Sequence, residues 1–385
     1  MKNKIDILHI YAGTSGAAGL YLHEIYLALK NRFEQEVIVS FNYPFSYGKK
    51  WFYKNTDLSK LTFNILQNVK IRYMLRFVEL IVTLLKTYRL IRKRNVKVVN
   101  YSLTTDLLIE LLFLRSIKNL RNRILIITCH DVLPFGSEEE KALLKKIEKK
   151  KKFFNLANYL LVHNKNSKDD LQKYFNISDN RIVMVPFPVM DLNKLNLDEN
   201  RSDLKLDNVN FRVGMFGHFR QEKGLDLLID AWNEIYDSTK DMQLIIAGNI
   251  PYNLNYDFNK IENKSSLVIK HYIDDSLLCQ LIRKCDVVVM PYFRGTNSGI
   301  PSTIISNKSL VVASDIPMFL NNELINETFL FKSGDSYELA NKLKMLNGMN
   351  EDELRKHHEV NDDLLFKYFR KFELQLNTMF EIIIN

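Results

Sequence analysis

The feature that most constrains the fold of this chain is a pattern that occurs twice along the sequence. In each half, short apolar segments typical of buried strands alternate with segments in which apolar residues recur every three or four positions. Strands that alternate with helices predict a parallel sheet covered by helices on both faces. Between the halves, residues 191–210 are polar and show no apolar period, as expected of a linker. The sequence therefore predicts an α/β protein built from two Rossmann-like domains.

The predicted domain boundaries follow from the position of the linker. Residues 1–190 form the first domain, residues 211–363 form the second, and residues 191–210 join them. The last segment, 364–385, predicts a helix with no strand after it. A chain of 385 residues is long for a single hydrophobic core, which also favours two domains.

Composition excludes several classes of protein. Hydrophobic residues make up 46% of the chain and charged residues 26%, which is typical of a globular protein rather than a disordered one. The N-terminus lacks the apolar segment of a secretory signal, and the apolar stretch 77–85 is much shorter than the ~20 residues that cross a bilayer. The three cysteines show no spacing typical of a metal site. We therefore expect a cytoplasmic protein with no metal and no cofactor.

The strongest chemical signal is the stretch 215–232, MFGHFRQEKGLDLLIDAW. A predicted strand ends at Gly217, the turn carries Arg220 and Lys223, and Gly224 begins a helix. Two cations beside the N-terminus of a helix favour an anion, most simply a phosphate or a diphosphate. For this stretch alone, a solvated basic turn before an ordinary helix is the alternative.

The second signal is the stretch 287–315. An apolar strand ends at Pro291 and is followed by a loop of small polar residues. A helix must begin near Ser298, because Pro301 is tolerated only in the first turn of a helix. Loop amides and hydroxyls at the carboxyl edge of a parallel sheet again favour an anionic ligand. A plain capped helix is the alternative.

In this order and spacing, the two stretches resemble those of GT-B glycosyltransferases of the retaining family 4 (group 1) type, in a branch with a TxSG donor loop. The resemblance covers nearly the whole chain and includes YAGTSGAAG at 11–19 and ITCHDVLPF at 127–135. It implies the GT-B fold, in which two Rossmann-like domains face each other across a cleft. It also implies a nucleotide-sugar donor on the second domain, an acceptor on the first, and a terminal helix that crosses back to the first domain.

The resemblance assigns roles to individual residues. Arg220 and Lys223 would hold the donor diphosphate and His130 would face the transferred sugar, so these three are the predicted catalytic residues. Asp131 joins His130 on the acceptor side. A histidine that caps a strand end is the alternative for His130. The predicted donor-binding residues are Gly13, Thr14, Gly217, Arg220, Lys223, Tyr272, Ile273, Thr296, Asn297, Ser298 and Gly299.

The sequence departs from the family pattern in the donor loop and in the phosphate turn. Many members carry two glutamates eight residues apart, and the corresponding positions here are Gly295 and Thr303. The residue directly after the glycine of the turn is His218 instead of the usual arginine. These departures leave open a non-catalytic GT-B subunit that binds acceptor or a partner transferase. A nucleotide-sugar epimerase is a third reading, which would need acid–base carboxylates of its own.

The expected reaction is the retaining, metal-independent transfer of a hexose from a nucleotide-diphosphate-sugar to a glycan or lipid-linked glycan. Its product would be a surface polysaccharide such as a capsule, O-antigen or exopolysaccharide. The net charge is +9, and cations concentrate in a helical stretch at 58–94 and at Lys141–Phe154, beside apolar residues. This predicts peripheral contact with an anionic surface on the inner face of the cytoplasmic membrane. A solvated basic face is the alternative, and no motif indicates nucleic acid.

Overall fold

The chain divides into two compact units. A computed structural model describes residues 5–11, 18–39, 52–54, 69–102, 107–133, 140–190, 206–236, 241–262, 264–295 and 298–385. The first unit comprises Met1–Pro188 together with Arg370–Asn385, and the second comprises Val189–Phe369. Among the residues singled out above, Gly13, Thr14, Thr296 and Asn297 lie outside the described residues, as do most of the predicted linker and residues 55–68.

Within the described residues, the first unit contains a parallel sheet of seven strands in the order β3-β2-β1-β4-β5-β6-β7. The strands are β1 (Ile7–Tyr11), β2 (Gln35–Val39), β3 (Phe52–Lys54), β4 (Val98–Ser102), β5 (Ile124–Thr128), β6 (Tyr159–Val162) and β7 (Ile182–Met184). The helices are α1 (Ala18–Leu29), α2 (Val69–Lys93), α3 (Leu108–Lys118), α4 (Glu140–Phe154) and α5 (Lys165–Phe175).

The central strands of this sheet are buried on both faces, which is why their sequences are continuous apolar runs. A few polar side chains interrupt the runs and bond to one another. Asn100 on β4 donates from Nδ2 to Nδ1 of His9 on β1 at 3.1 Å, and it accepts from Oγ1 of Thr128 on β5 at 2.8 Å. These bonds satisfy polar groups that burial would otherwise penalise.

The second unit is a parallel sheet of six strands in the order β10-β9-β8-β11-β12-β13, counted over the described residues. The strands are β8 (Phe211–Phe216), β9 (Met242–Ala247), β10 (Ser266–Ile269), β11 (Val287–Met290), β12 (Leu310–Ser314) and β13 (Leu330–Phe331). The helices are α6 (Leu225–Ile235), α7 (Asp275–Arg283), α8 (Ile300–Ser306), α9 (Pro317–Leu320) and α10 (Ser336–Asn347). The two sheets confirm the predicted pair of Rossmann-like domains.

A final helix, α11 (Glu351–Ile384), ends the chain. The sequence placed the start of a helix at 364, which was too late, because the polar first turns of α11 carry little apolar period. The last part of α11 belongs to the first unit. There Nδ2 of Asn377 donates to the carbonyl oxygen of Ala28 at 3.0 Å, and Phe380 packs edge-on against His9.

The two basic segments differ from expectation in one respect. Helix α2 lies within the predicted stretch 58–94, but Phe153 and Phe154 at the end of α4 are buried in the core of the first unit. These two phenylalanines therefore do not provide the exposed apolar side chains that a membrane contact at Lys141–Phe154 would need. In the described part of the chain, every helix is too short or too polar to cross a bilayer.

Candidate functional site

In the second unit, the strand order reverses between β8 and β11. The chain passes from β8 to β9 and β10 on one side, and then returns to place β11 on the other side of β8. Ligands of open α/β sheets bind at the carboxyl ends of strands at such a reversal. The loops after β8 and β11 meet here, where the amide of Phe293 donates to the carbonyl oxygen of Glu222 at 2.8 Å. Both signal stretches of the sequence therefore converge on this edge.

Two glycines allow the loops at this edge to close. Gly224 has a φ of +64°, and a Cβ there would lie 2.0 Å from the carbonyl oxygen of Pro291. Gly248, after β9, has a φ of +154°, and its Cβ would lie 1.7 Å from the carbonyl oxygen of Gly217. Any side chain at either position would force the backbone apart. From the sequence, Gly224 was predicted only to begin a helix, and no role was predicted for Gly248.

Lys223 is held over the turn after β8. Its Nζ lies 5.2 Å from the centroid of the Tyr292 ring and 3.2 Å from where a Cβ on Gly217 would be. Arg220 is carried by the same turn, and its Nη1 lies 3.6 Å from Oε1 of Glu222. The structure thus brings the three predicted residues Gly217, Arg220 and Lys223 into one turn. Glu222 offsets part of the positive charge, mainly that of Arg220.

His218 belongs to this turn, although the sequence analysis noted it only as a departure. Nδ2 of Asn249 donates to Nδ1 of His218 at 2.9 Å, so Nδ1 accepts and Nε2 carries the proton. Partial burial, and then the charges of Arg220 and Lys223, lower the pKa of His218. A neutral His218 with a fixed tautomer presents an N–H donor beside the two cations. The position of His218 directly after Gly217, where the strand ends, could have predicted this role from the sequence.

The loop after β11 is only partly described. Ser298 accepts a hydrogen bond at Oγ from the amide of Ile300 at 3.3 Å, and Oγ of Ser302 donates to the carbonyl oxygen of Gly299 at 2.8 Å. These contacts begin α8, with Pro301 in its first turn as predicted. Ser298 and Gly299 therefore lie at the same sheet edge as Lys223.

Local packing accounts for the two positions that lack a glutamate. Oγ1 of Thr303 donates to the carbonyl oxygen of Met190 at 2.9 Å, and Thr303 is buried. A Cβ on Gly295 would lie 2.8 Å from Sδ of Met318. A longer acidic side chain at 295 fits only if Met318 moves, and a carboxylate at 303 would replace a bond to the backbone. Both positions serve the structure of the loop in this chain.

Tyr272 and Ile273 follow β10 and differ in exposure. Tyr272 is 76% exposed, whereas the side chain of Ile273 is part of the hydrophobic core. Ile273 can therefore meet a ligand only through its backbone. Next to them, Oδ1 of Asp274 accepts from the amide of Leu277 at 2.9 Å and caps α7. Partial desolvation, followed by the charges of Asp275 and Asp274, raises the pKa of the Tyr272 phenol.

In the first unit, His130 lies in a largely buried aromatic cluster at the end of β5, and its own side chain is half-buried. Its ring centroid is 4.6 Å from that of Tyr21, 5.8 Å from that of His163 and 6.5 Å from that of Phe187. Burial lowers the pKa of His130 to about 4, although the charge of Asp131 opposes the shift. His130 is therefore neutral near pH 7 and can exchange hydrogen bonds without carrying charge.

His163 was missed by the sequence analysis. It follows β6 and stacks against His130, and its Nδ1 donates to the carbonyl oxygen of Val185 at 3.1 Å. Burial, followed by His130, lowers its pKa to about 3. A histidine at the end of the strand next to β5 was the signal, because neighbouring parallel strands end at the same edge of a sheet. The pairing of β5 with β6 establishes that neighbourhood.

Lys150 supports the backbone that carries His130 and Asp131. Its Nζ donates to the carbonyl oxygen of Asp131 at 2.5 Å and to that of Val132 at 3.2 Å. The side chain of Asp131 itself is exposed. These two neighbours therefore differ in environment, with the His130 ring in the aromatic cluster and the Asp131 carboxylate outside it. Across the described residues, no three His, Cys, Asp or Glu side chains form a group that could hold a metal ion.

Comparisons with known proteins support this description. Residues 210–347 match the family model described as glycosyl transferases group 1, and residues 48–184 match that of the glucosyltransferase 3-like N-terminal domain. None of the curated proteins matches the sequence.

Solved structures are similar over the full length of the chain. A sucrose-phosphate synthase from Thermosynechococcus elongatus has a TM-score of 0.68 at 14% identity, covering 98% of this chain and 99% of its own. HepE from Anabaena, solved with UDP and glucose, has a TM-score of 0.65 at 16% identity, covering 98% of each chain. An α,α-trehalose-phosphate synthase from Burkholderia xenovorans has a TM-score of 0.67 at 11% identity, covering 98% and 100%. These likenesses confirm the predicted fold.

Proposed function

Because this chain is a group 1 glycosyltransferase with the GT-B fold, we propose that it moves a hexose from a nucleotide-diphosphate-sugar to a glycan or lipid-linked glycan with retention. The turn of Lys223 at the strand-order reversal of the second unit carries this proposal. The ammonium group of Lys223 lies close to Gly217, which has no side chain. This turn is at the edge where open α/β sheets bind ligands. HepE, a protein with a similar fold, was solved with UDP and glucose.

In the proposed reaction, the bond between the anomeric carbon and the diphosphate oxygen breaks and leaves an oxocarbenium-like centre. Negative charge grows on the departing diphosphate, and Lys223 and Arg220 stabilise it in the role often given to a divalent ion. The acceptor hydroxyl oxygen then bonds to the same face of the anomeric carbon and its proton passes to the diphosphate. The products are the extended glycan and a nucleoside diphosphate.

The other predicted donor-binding residues supplement this charge. We assign the backbone and hydroxyls of Thr296, Asn297, Ser298 and Gly299 to the phosphates and the sugar, and Gly13 and Thr14 to the sugar. Tyr272 offers an exposed ring for the nucleotide base, and Ile273 offers its backbone. On the acceptor side we assign His130 and Asp131. A neutral His130 suits a hydrogen bond to a sugar or acceptor hydroxyl better than it suits acid catalysis near pH 7.

The proposal extends to where the enzyme works. A lipid-linked acceptor would place it on the inner face of the cytoplasmic membrane, in the synthesis of a surface polysaccharide. The cations of α2 and α4 in the first unit support this location.

The test is a panel of nucleotide-sugars offered to the full-length protein. We expect one donor to raise the melting temperature and to be hydrolysed slowly to the nucleoside diphosphate. Lys223→Ala should lower turnover of that donor by about 10²–10³-fold, because it removes a charge from the leaving group. Lys260→Ala is the matched control, since Lys260 is a half-exposed lysine of the same unit that pairs with Asp230. Equal turnover in the two variants would overturn the proposal.

The packing around Gly295 and Thr303 favours a second candidate, a GT-B subunit that binds its acceptor or a partner transferase without turnover. In that case the wild type releases no nucleoside diphosphate, whether or not a donor binds. Copurification with a second transferase, together with absent donor hydrolysis, would establish this alternative.

A further inference from the structure

The loop after β9 carries a tyrosine whose side chain makes almost no contact with the rest of the protein. Tyr252 is fully exposed, whereas tyrosines are on average largely buried. The residues around it behave differently, because Ile250, Tyr256 and Phe258 pack against the hydrophobic core of the second unit. We call residues 249–258 the tyrosine loop. This loop is therefore anchored on both sides of the one ring that it presents to solvent.

Two hydrogen bonds attach the start of the tyrosine loop to the turn that carries Lys223. Nδ2 of Asn249 donates to Nδ1 of His218 at 2.9 Å, and the amide of Phe219 donates to the carbonyl oxygen of Asn249 at 2.9 Å. In the sequence, His218 and Phe219 directly precede Arg220. The start of the loop is thus fixed beside the two cations assigned above to the diphosphate.

The end of the tyrosine loop is attached on the side of β10. Nζ of Lys270, the residue directly after β10, lies 4.1 Å from the centroid of the Phe258 ring, a favourable contact between a cation and an aromatic face. Tyr272 follows two residues later and is also exposed. The loop therefore extends along the sheet edge from the turn of Lys223 to the segment of Tyr272.

A tight turn fixes the backbone at Tyr252. The amide of Leu254 donates to the carbonyl oxygen of Pro251 at 3.0 Å, which closes a turn with Tyr252 at its second position. A side chain on a fixed backbone binds a ligand at a lower cost in entropy than one on a disordered backbone. Because the Tyr252 ring has no role in packing and lies at an edge where ligands bind, this arrangement favours a role in binding.

The order of the strands indicates which part of the donor lies at Tyr252. Strands β8, β9 and β10 are consecutive in the sheet, and adjacent strands lie about 4.8 Å apart. A nucleotide with its diphosphate at the turn after β8 and its base at Tyr272, after β10, passes the loop after β9. Aromatic side chains stack on the flat faces of bases, since every base offers such a face.

We propose that Tyr252 is a second ring that stacks on the base of the donor nucleotide, beside Tyr272. This inference rests on the function proposed above, and it gives a role to a loop for which the sequence predicted none. Stacking accepts every base. Tyr252 therefore supplies affinity for the nucleoside and leaves the choice among bases to other groups.

The test is isothermal titration calorimetry of the full-length protein with UDP, dTDP, GDP, ADP and inorganic pyrophosphate. Tyr252→Ala removes the ring and Tyr252→Phe keeps it. Because the side chain is fully exposed, neither substitution should disturb folding. Tyr337→Ala is the matched control, since Tyr337 is 68% exposed and follows β13, at the opposite margin of the same sheet.

We expect Tyr252→Ala to bind the tightest nucleoside diphosphate at least about fivefold more weakly than the wild type, the loss of one stacked base. Its affinity for pyrophosphate should stay that of the wild type. Tyr252→Phe and Tyr337→Ala should bind both ligands as the wild type does. Unchanged binding of the nucleoside diphosphate by Tyr252→Ala would overturn the inference, and so would an equal loss of affinity for pyrophosphate.

Lys223→Ala separates this inference from the proposed function, because it should weaken binding of nucleoside diphosphate and pyrophosphate alike. If Lys223→Ala weakens nucleoside diphosphate binding and Tyr252→Ala does not, the donor site stands and the role of Tyr252 is wrong. If the wild type binds none of the nucleoside diphosphates, both proposals are wrong.

Discussion

The carboxyl edges of the two sheets in this protein are built in opposite ways. In the second unit, the edge carries Lys223 and Arg220 on a turn whose backbone is brought close by glycines. In the first unit, the edge carries His130 and His163 inside an aromatic cluster. Burial keeps both rings neutral, whereas the cations of the second unit keep their access to water.

The difference shows how one architecture can provide two kinds of chemistry. In the function we propose, the charge that meets a diphosphate stays solvated on an open turn until the ligand arrives. The ring that we propose to exchange hydrogen bonds with hydroxyls is kept neutral and fixed among other rings.

The largest effect is expected from Gly224→Ala. The new Cβ would lie 2.0 Å from the carbonyl oxygen of Pro291 at a φ of +64°, so the loops after β8 and β11 would separate. We expect the free energy of unfolding of the second unit to fall by about 3 kcal/mol, measured by urea denaturation. Gly348→Ala is the control, because a Cβ there meets only ordinary contacts, and it should change stability by less than about 0.5 kcal/mol. Equal stability of the two variants would show that the contact between Gly224 and Pro291 does not hold the loops after β8 and β11 together.

Substitution of His130 tests the neutral edge. We expect His130→Ala to reduce turnover by about 3- to 10-fold, the equivalent of one neutral hydrogen bond of about 0.5–1.5 kcal/mol. His130→Gln should recover part of this loss, because an amide offers a donor and an acceptor without charge. Steady-state kinetics with the identified donor would measure both. If the glutamine variant is as slow as the alanine variant, the ring acts through its shape or its protonation and not through a neutral hydrogen bond.

The response to pH tests whether the imidazoles are buried as described. Their folded-state pKa values lie below the ordinary value, so between about pH 6.5 and pH 4 the unfolded chain takes up protons that the folded chain does not. Their contribution to stability is thus complete above about pH 6.5 and is lost as the pH falls. His9 has the same direction of shift, also caused by burial. Stability should therefore decrease steeply on acidification.

His163→Phe should make that decrease shallower by about 1.4 kcal/mol per pH unit, the value for one proton. Urea unfolding followed between about pH 7 and pH 5 would give the slope. An unchanged slope would mean that His163 already takes up its proton in the folded protein, and the contrast between the two edges would weaken.

The smallest effect is expected from Lys150→Met. It removes two bonds to the carbonyl oxygens of Asp131 and Val132 while keeping an apolar stem. We expect a stability loss of about 1 kcal/mol and a reduction in turnover smaller than that of His130→Ala. Lys149→Met is the matched control, since Lys149 is an exposed neighbour on the same helix. A difference between the two variants in the Michaelis constant alone would place Lys150 in binding, not in holding the loop of His130.

Much of the fold and part of the site could be predicted from the sequence. Continuous apolar runs identified the central strands, because strands of a parallel sheet are buried on both faces. Pro301 located the start of α8, because proline is tolerated only in the first turn of a helix. The turn from Gly217 to Gly224 was identified because its strand, cations and helix are adjacent in the chain, so local spacing was enough to place them.

Only the tertiary structure decided which distant side chains meet. Tyr21, His130 and His163 come from three separate elements, and Asn249 reaches His218 only because β8 and β9 are neighbours. The sequence also left undecided which face of α2 is buried, since apolar residues lie on both of its faces. Local propensity determines that a segment is a helix or a strand, but the direction in which its side chains point is fixed by the packing of the sheet beneath it.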